Sequence, residues 1–191
     1  MELTSEEYNK LKAKISKFKE NIDTYIIKYN ELNLIKTGVQ KKLNKKIKIY
    51  SLLFRASING FSSSNCHSYC DGKSNTFILV EATTGRRFGG FTDVQWEQSS
   101  SWKTGSNGFI FSLDNKEIYY NKDSNYNIYC CSSYGPYFGS GAEFQISNNC
   151  NTNQNSENLG SSYATNGKQY ALSDSNNFLV KDYEVFHLEF E

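Results

Sequence analysis

From Tyr50 to Glu191 the β-branched and aromatic residues come in short runs, each closed by Gly, Asn, Ser or Asp. Runs of that length suit strands and are too short for most helices. Nine can be read: Tyr50–Arg55, Phe77–Glu81, Arg87–Phe91, Phe109–Leu113, Ile118–Tyr120, Tyr126–Cys131, Glu143–Ile146, Phe178–Val180 and Glu184–Glu189. Turn signals at such close intervals predict a two-sheet antiparallel β-sandwich, mostly β with short helices (α+β). Tyr126, Ile128 and Cys130 alternate cleanly with Asn127, Tyr129 and Cys131, whereas Glu184, Phe186, Leu188 and Phe190 do not sort into two faces. With 14 Tyr and 13 Phe the core is expected to be largely aromatic. Ser62 to Cys70 lacks strand alternation and opens on an N-capping serine run, so it predicts a short helix ended by Asp71-Gly72. Asn148 to Asn158 reads as an Asn-rich loop, a compositional drift first of all.

The first 49 residues have another texture. Leu11, Ile15, Phe18, Ile22, Tyr25, Tyr29 and Leu32 fall on a heptad seam, with Thr4 or Ser5 as N-cap before Glu6 and Glu7. A helix over about residues 5–34 is predicted, either a short coiled coil for self-association or one amphipathic helix lying on its own domain. From Lys36 to Tyr50, lysines surround Val39, Leu43 and Ile47, which predicts a second short helix with a basic face. That face suits an anionic membrane surface in peripheral contact, an acidic partner, or plain solvation over a helix packed on the next domain. Nucleic acid fits poorly, because the lysines are not interleaved with stacking aromatics and the chain has few arginines.

The net charge of +1 hides this division. Residues 1–49 hold 12 Lys and 6 Asp+Glu, giving +6, and residues 50–191 hold 9 Lys+Arg and 14 Asp+Glu, giving −5. A helical lead, 1–49, and a β-rich domain, 50–191, are expected. No window approaches about 18 consecutive apolar residues, and Met1 to Lys10 has no signal-peptide core. The 22 Asn form no Asn-x-Ser/Thr sequon, and the five cysteines are an odd set with the adjacent pair Cys130-Cys131. Both facts favour a reducing cytoplasm.

Candidate chemistry is sparse. His67 and His187 are the two histidines. Cys66, His67 and Cys70 could begin a zinc site, but paired Cys-x-x-Cys knuckles are missing, so no metal and no cofactor are expected. Cys66 near a helix start could carry a lowered pKa, giving a thiol-dependent antioxidant enzyme that uses Cys66 or Cys70. A small hydrolase would need His67 and a nearby carboxylate. Ordinary burial competes with both for each cysteine. Gly89-Gly90 and the cluster Gly135, Gly139, Gly141 sit among aromatics with no helix following, so they predict bulges or tight turns, joined by Pro136, and not phosphate loops.

Several segments then occur in a recognisable order: Leu52-Leu53-Phe54-Arg55-Ala56 with Asn59-Gly60-Phe61-Ser62, His67, Cys70-Asp71-Gly72-Lys73, Phe88-Gly89-Gly90-Phe91-Thr92, Trp96, Phe109-Ile110-Phe111-Ser112-Leu113, Tyr134-Gly135-Pro136-Tyr137-Phe138-Gly139, Asn148-Asn149-Cys150-Asn151, Tyr163, and Phe178 through Phe186. In this order, over about residues 50–191, the chain resembles the TLDc domain of oxidation-resistance proteins and related regulators. It departs at Asn65-Cys66, where relatives more often carry an aromatic before the histidine. The resemblance implies two antiparallel sheets with short helices, protection from oxidative stress, and binding to subunits of the vacuolar proton-pumping ATPase at the surface of an acidic organelle. It carries over no catalytic set; its motif positions here include Arg55, Asp71, Gly89, Gly90, Gly135, Gly139 and Glu184. A non-catalytic regulator is therefore expected, with the enzyme readings behind it. A sandwich whose Asn-rich loop holds sugar or calcium has only composition behind it.

Overall fold

The computed structural model of the chain describes residues 4–7, 22–28 and 30–191. Among the described residues twelve strands form two six-stranded sheets in which every pairing is antiparallel. The first sheet has the order β1-β12-β2-β3-β5-β6, built from β1 (Ile47–Arg55), β2 (Thr76–Ala82), β3 (Arg87–Thr92), β5 (Phe109–Ser112), β6 (Glu117–Tyr120) and β12 (Val180–Phe190). The second runs β11-β10-β9-β8-β7-β4, built from β4 (Ser101–Lys103), β7 (Ile128–Cys130), β8 (Tyr134–Phe138), β9 (Phe144–Ser147), β10 (Asn155–Ser156) and β11 (Asn177–Phe178).

Residues of β2 alternate between two apolar layers. Ile78 and Val80 point into the core between the sheets with Phe88, Ile110, Phe138 and Phe144. Phe77 and Leu79 point the other way and join Phe91, Phe109, Phe111, Phe186 and Leu188 in a second cluster. A sheet apolar on both faces has to be covered on both. The outer cover is helix α1 (Leu32–Leu43), through Leu32, Ile35 and Val39, together with Ile26. The same double burial explains why Glu184, Phe186 and Leu188 did not sort: Phe186 and Leu188 enter the outer cluster, while Tyr183 and Val185 enter the inner one.

The lead differs from the expectation. Residues 5–7 are helical, and Thr4 caps them, with its hydroxyl accepting from the Glu7 N–H at 3.3 Å and its own N–H donating to the Glu7 carboxylate at 2.9 Å. Residues 22–28 are irregular, so the helix expected over 5–34 is not continuous; Leu11, Ile15, Phe18 and Tyr29 of the heptad seam lie outside the described residues. The basic helix also ends early. Asn44 adopts a left-handed conformation at φ 53° and closes α1, its N–H donating to the Gln40 carbonyl, and the chain is already a strand by Ile47. Val39, Leu43 and Ile47 have helical spacing, but the left-handed residue between the last two turns the chain onto the sheet edge.

Two further short helices follow β1: α2 (Ala56–Asn59), a single turn, and α3 (Ser63–Cys70), capped by the Ser62 hydroxyl as the serine run predicted. Strands β4, β8 and β10 were not legible as strands. β8 contains Gly135 and Pro136 at a register shift between Tyr134 and Tyr137, where a proline fits because the ladder is interrupted. β10 lies in the Asn-rich stretch: Asn155 is buried and its amide donates to the carbonyls of Cys150 and Phe178, so this asparagine pins the loop to the sheet. No helix among the described residues is long and apolar enough to cross a membrane.

Candidate functional site

Helix α3 brings together the residues of the enzyme readings. Cys66, His67 and Cys70 are all buried on its inner side. His67 Nδ1 is 2.7 Å from Asp71 Oδ1, and Nε2 is 3.0 Å and 2.9 Å from the carbonyl oxygens of Cys131 and Tyr134. Every hydrogen-bond partner of the two ring nitrogens is an acceptor, so both nitrogens act as donors together only in the imidazolium. Burial by itself lowers the imidazole pKa, but the Asp71 carboxylate and the two carbonyls outweigh it and hold the pKa above its ordinary value. Gln98 donates to the other Asp71 oxygen at 2.7 Å. His67 thus ties α3 to the turn entering β8, and while protonated its ring has no lone pair to act as a base.

The two thiols sit one helical turn apart with their sulfurs 3.9 Å from each other. Contact with Cys66, and burial, hold the Cys70 thiol above the ordinary range, while the hydrogen bond with Cys70 lowers the Cys66 thiol against its burial. The cavity beside them, between Trp96, Gly135 and Val185, measures about 10 Å³, room for about one water. The more accessible thiol is Cys131, half-buried just after β7, with the Ser100 hydroxyl donating to its sulfur at 3.8 Å. Its partial burial raises its pKa, but hydrogen bonds from Ser133 and Ser100 and the nearby His67 charge prevail and lower it. The adjacent Cys130-Cys131 pair held that signal, since neighbours on a strand face opposite ways and Cys130 fills the core. Among the described residues no group of three or more His, Cys, Asp or Glu is placed to hold a metal ion.

Arg55 and Glu184, far apart in sequence, meet across the β1–β12 pair beneath residues 23–25. Arg55 Nε–H donates to Glu184 Oε1 at 2.7 Å, and both side chains are buried, at 2 % and 0 % exposure. The Tyr25 N–H and the Thr24 hydroxyl also donate to the Glu184 carboxylate, at 2.9 Å and 2.5 Å, while the Arg55 guanidinium reaches the Asp23 carbonyl at 2.7 Å. Arg87 repeats the device farther along, bridging Glu31 of the lead and Asp114 with bonds of 2.6 to 2.8 Å. Two of the three arginines in the chain therefore clasp the lead to the first sheet.

Gly89 and Gly90 were expected at bulges or turns. Instead they sit in unbroken register between β2 and β5. A Cβ on Gly89 would lie 1.8 Å from the Ile78 carbonyl oxygen, so the position serves close strand packing. Gly139 does occupy a turn, at φ +72°, with Glu143 where a side chain would go. Gly135 has ordinary space around it, 3.4 Å to the nearest atoms.

The outer face of the second sheet is of another kind. Trp102 of β4 packs against Tyr126, Tyr129 and Tyr137 with ring centroids 5.4, 4.7 and 5.5 Å apart, and Tyr134 continues the row 5.8 Å from Tyr137. All five are half-buried. They form one contiguous aromatic platform with phenol hydroxyls along it, a composition enriched at protein interfaces. The platform needs β4 and β8, which the sequence did not reveal.

A family model described as the TLDc domain matches residues 20–189. No curated protein matches the chain.

Proposed function

The chain belongs to the TLDc domain family, and on that premise we propose that it is a non-catalytic regulatory protein that works by binding a larger protein partner. The aromatic platform on the second sheet carries the proposal. On the first sheet the outer apolar face is covered by α1 and Ile26; on the second, Trp102 and its four tyrosines stay half-open. Such residues supply large contact area at small entropic cost and dominate binding energy where they occur. The family resemblance points to the vacuolar proton-pumping ATPase as the partner, at the cytoplasmic surface of an acidic organelle, and to a role in oxidative-stress protection. In this reading His67, Asp71, Arg55 and Glu184 hold the scaffold and do no chemistry. Leu11, Ile15 and Phe18 of the lead are assigned to self-association or tethering.

Intact chain used as bait on solubilised organelle membranes should recover ATPase subunits, and Trp102→Ala should reduce the recovery at least about tenfold, the penalty of losing a hot-spot aromatic. Repeated recovery of none with a folded bait would sink the proposal.

A further inference from the structure

Trp102, Tyr129 and Tyr137 touch one another with ring centroids 4.7 to 5.5 Å apart. Tyr126 extends the group from Trp102, and Tyr134 extends it from Tyr137. Four of these five contacts are edge-on, with interplanar angles of 64° to 87°. Rings set at such angles make ridges with shallow slots between them. A sugar or a nucleobase, which stacks on an open flat face, is poorly matched to that relief.

The polar heads of the rings narrow the choice further. Among the described residues the Trp102 indole N–H and the four phenol hydroxyls have no protein partner, and none of them is sealed from solvent. Trp96, by contrast, is buried and donates its indole N–H to the Thr76 hydroxyl at 2.8 Å. Free hydroxyls occur elsewhere, as on exposed Tyr69 and Tyr170, but singly, with no second Tyr or Trp ring against them among the described residues. On the platform five donors converge, and none of the five side chains is charged. The backbone below has nothing to add, because β7 is already paired with β4 on one side and β8 on the other. A β-extended segment would bring amide N–H and carbonyl groups to a surface with no ladder to join. A helix satisfies its own backbone, but its apolar face would cover the five donors and leave them unpaired. A polyproline II segment meets both conditions: its prolines lack the N–H, its carbonyls stand free to accept from phenol and indole donors, and its preformed helix loses little entropy on docking. Pro136 is the one proline of this chain and is buried in β8, so the segment comes from another protein.

Resting on the reading that the platform is the partner-binding surface, we propose that it takes a proline-rich segment of the partner in polyproline II conformation. Prolines one turn apart, three residues in that helix, occupy the slots between Trp102 and Tyr126 and between Tyr137 and Tyr134. Titration of a proline decamer into the isotopically labelled full chain, followed by nuclear magnetic resonance, should shift the Trp102 indole N–H and the amides of β4, β7 and β8 saturably, with Kd below about 1 mM. Trp102→Ala should weaken binding at least about tenfold. The double variant Tyr134→Phe/Tyr137→Phe, which keeps both rings and removes two donors, should weaken it at least about fivefold, while Tyr170→Phe should bind as wild type. Four results overturn the proposal: no shifts with the proline decamer at about 5 mM, equal binding by Trp102→Ala, equal binding by the double Phe variant, or equal shifts with a glycine-serine decamer. Partner recovery that depends on Trp102 while the proline decamer is inert leaves the platform as the partner surface and removes only the proline-rich ligand. Decamer binding with no ATPase subunit recovered keeps this ligand class and removes the ATPase.

Discussion

Glu184→Ala probes the clasp between the lead and the first sheet. The carboxylate is fully buried and accepts from the Arg55 guanidinium, the Tyr25 N–H and the Thr24 hydroxyl. At an effective dielectric of about 20, unit charges at the observed 2.7 Å attract by roughly 6 kcal/mol, much of it offset by the desolvation of both groups. Truncating one member leaves the other buried and unpaired, which costs about 3–5 kcal/mol. Asp23 cannot rescue Arg55, because its side chain is 70 % exposed and its pull is screened by solvent. For a chain of this size about 4 kcal/mol corresponds to a fall in Tm of roughly 8–16 °C. Glu184→Gln keeps an acceptor for Arg55 and should lie between wild type and Ala. The double variant Arg55→Met/Glu184→Leu should recover most of the loss, because no buried charge remains. Thermal melts give the magnitude, and hydrogen exchange should show the 22–28 amides opening first. A Glu184→Ala protein melting within about 2 °C of wild type would refute the reasoning, as would a double variant no more stable than the single one.

Other outcomes follow from the same geometry. Because the folded pKa of His67 is raised, its contribution to stability is complete below the unfolded value of about 6.5 and is lost as pH rises through the folded pKa; urea midpoints should fall over that window in wild type, and the fall should be smaller in His67→Gln. Gly89→Ala puts a methyl into the Ile78 carbonyl and should cost about 3 kcal/mol or more, whereas Gly135→Ala meets only ordinary contacts and should cost less than about 1 kcal/mol by chemical denaturation. Iodoacetamide at neutral pH should label Cys131 ahead of the four buried cysteines, and Cys131→Ser should abolish the fast phase seen by mass spectrometry.

Local chemistry made much of this protein legible in its sequence. Alternation and turn residues marked most strands, a serine run marked the cap of α3, and the ordered segments marked the family. What failed was whatever depended on distant partners. The periodicity of Ile22, Tyr25 and Leu32 looked helical, yet residues 22–28 are held irregular because Thr24 and Tyr25 bond to Glu184 and Ile26 fills the outer cluster. These contacts join residues about 160 apart in the chain, and no local pattern encodes them. The glycines of β3 looked like turns because their reason, the approach of the neighbouring strand, is not in their own segment. The sequence by itself determined strand texture, the cap, the division of charge and the family. Only the tertiary structure decided that the first sheet needs two apolar covers and that the Asp71 carboxylate and two backbone carbonyls converge on the His67 ring. Those outcomes arise from burial and convergence, properties of space that a one-dimensional pattern records only when the partners are sequence neighbours.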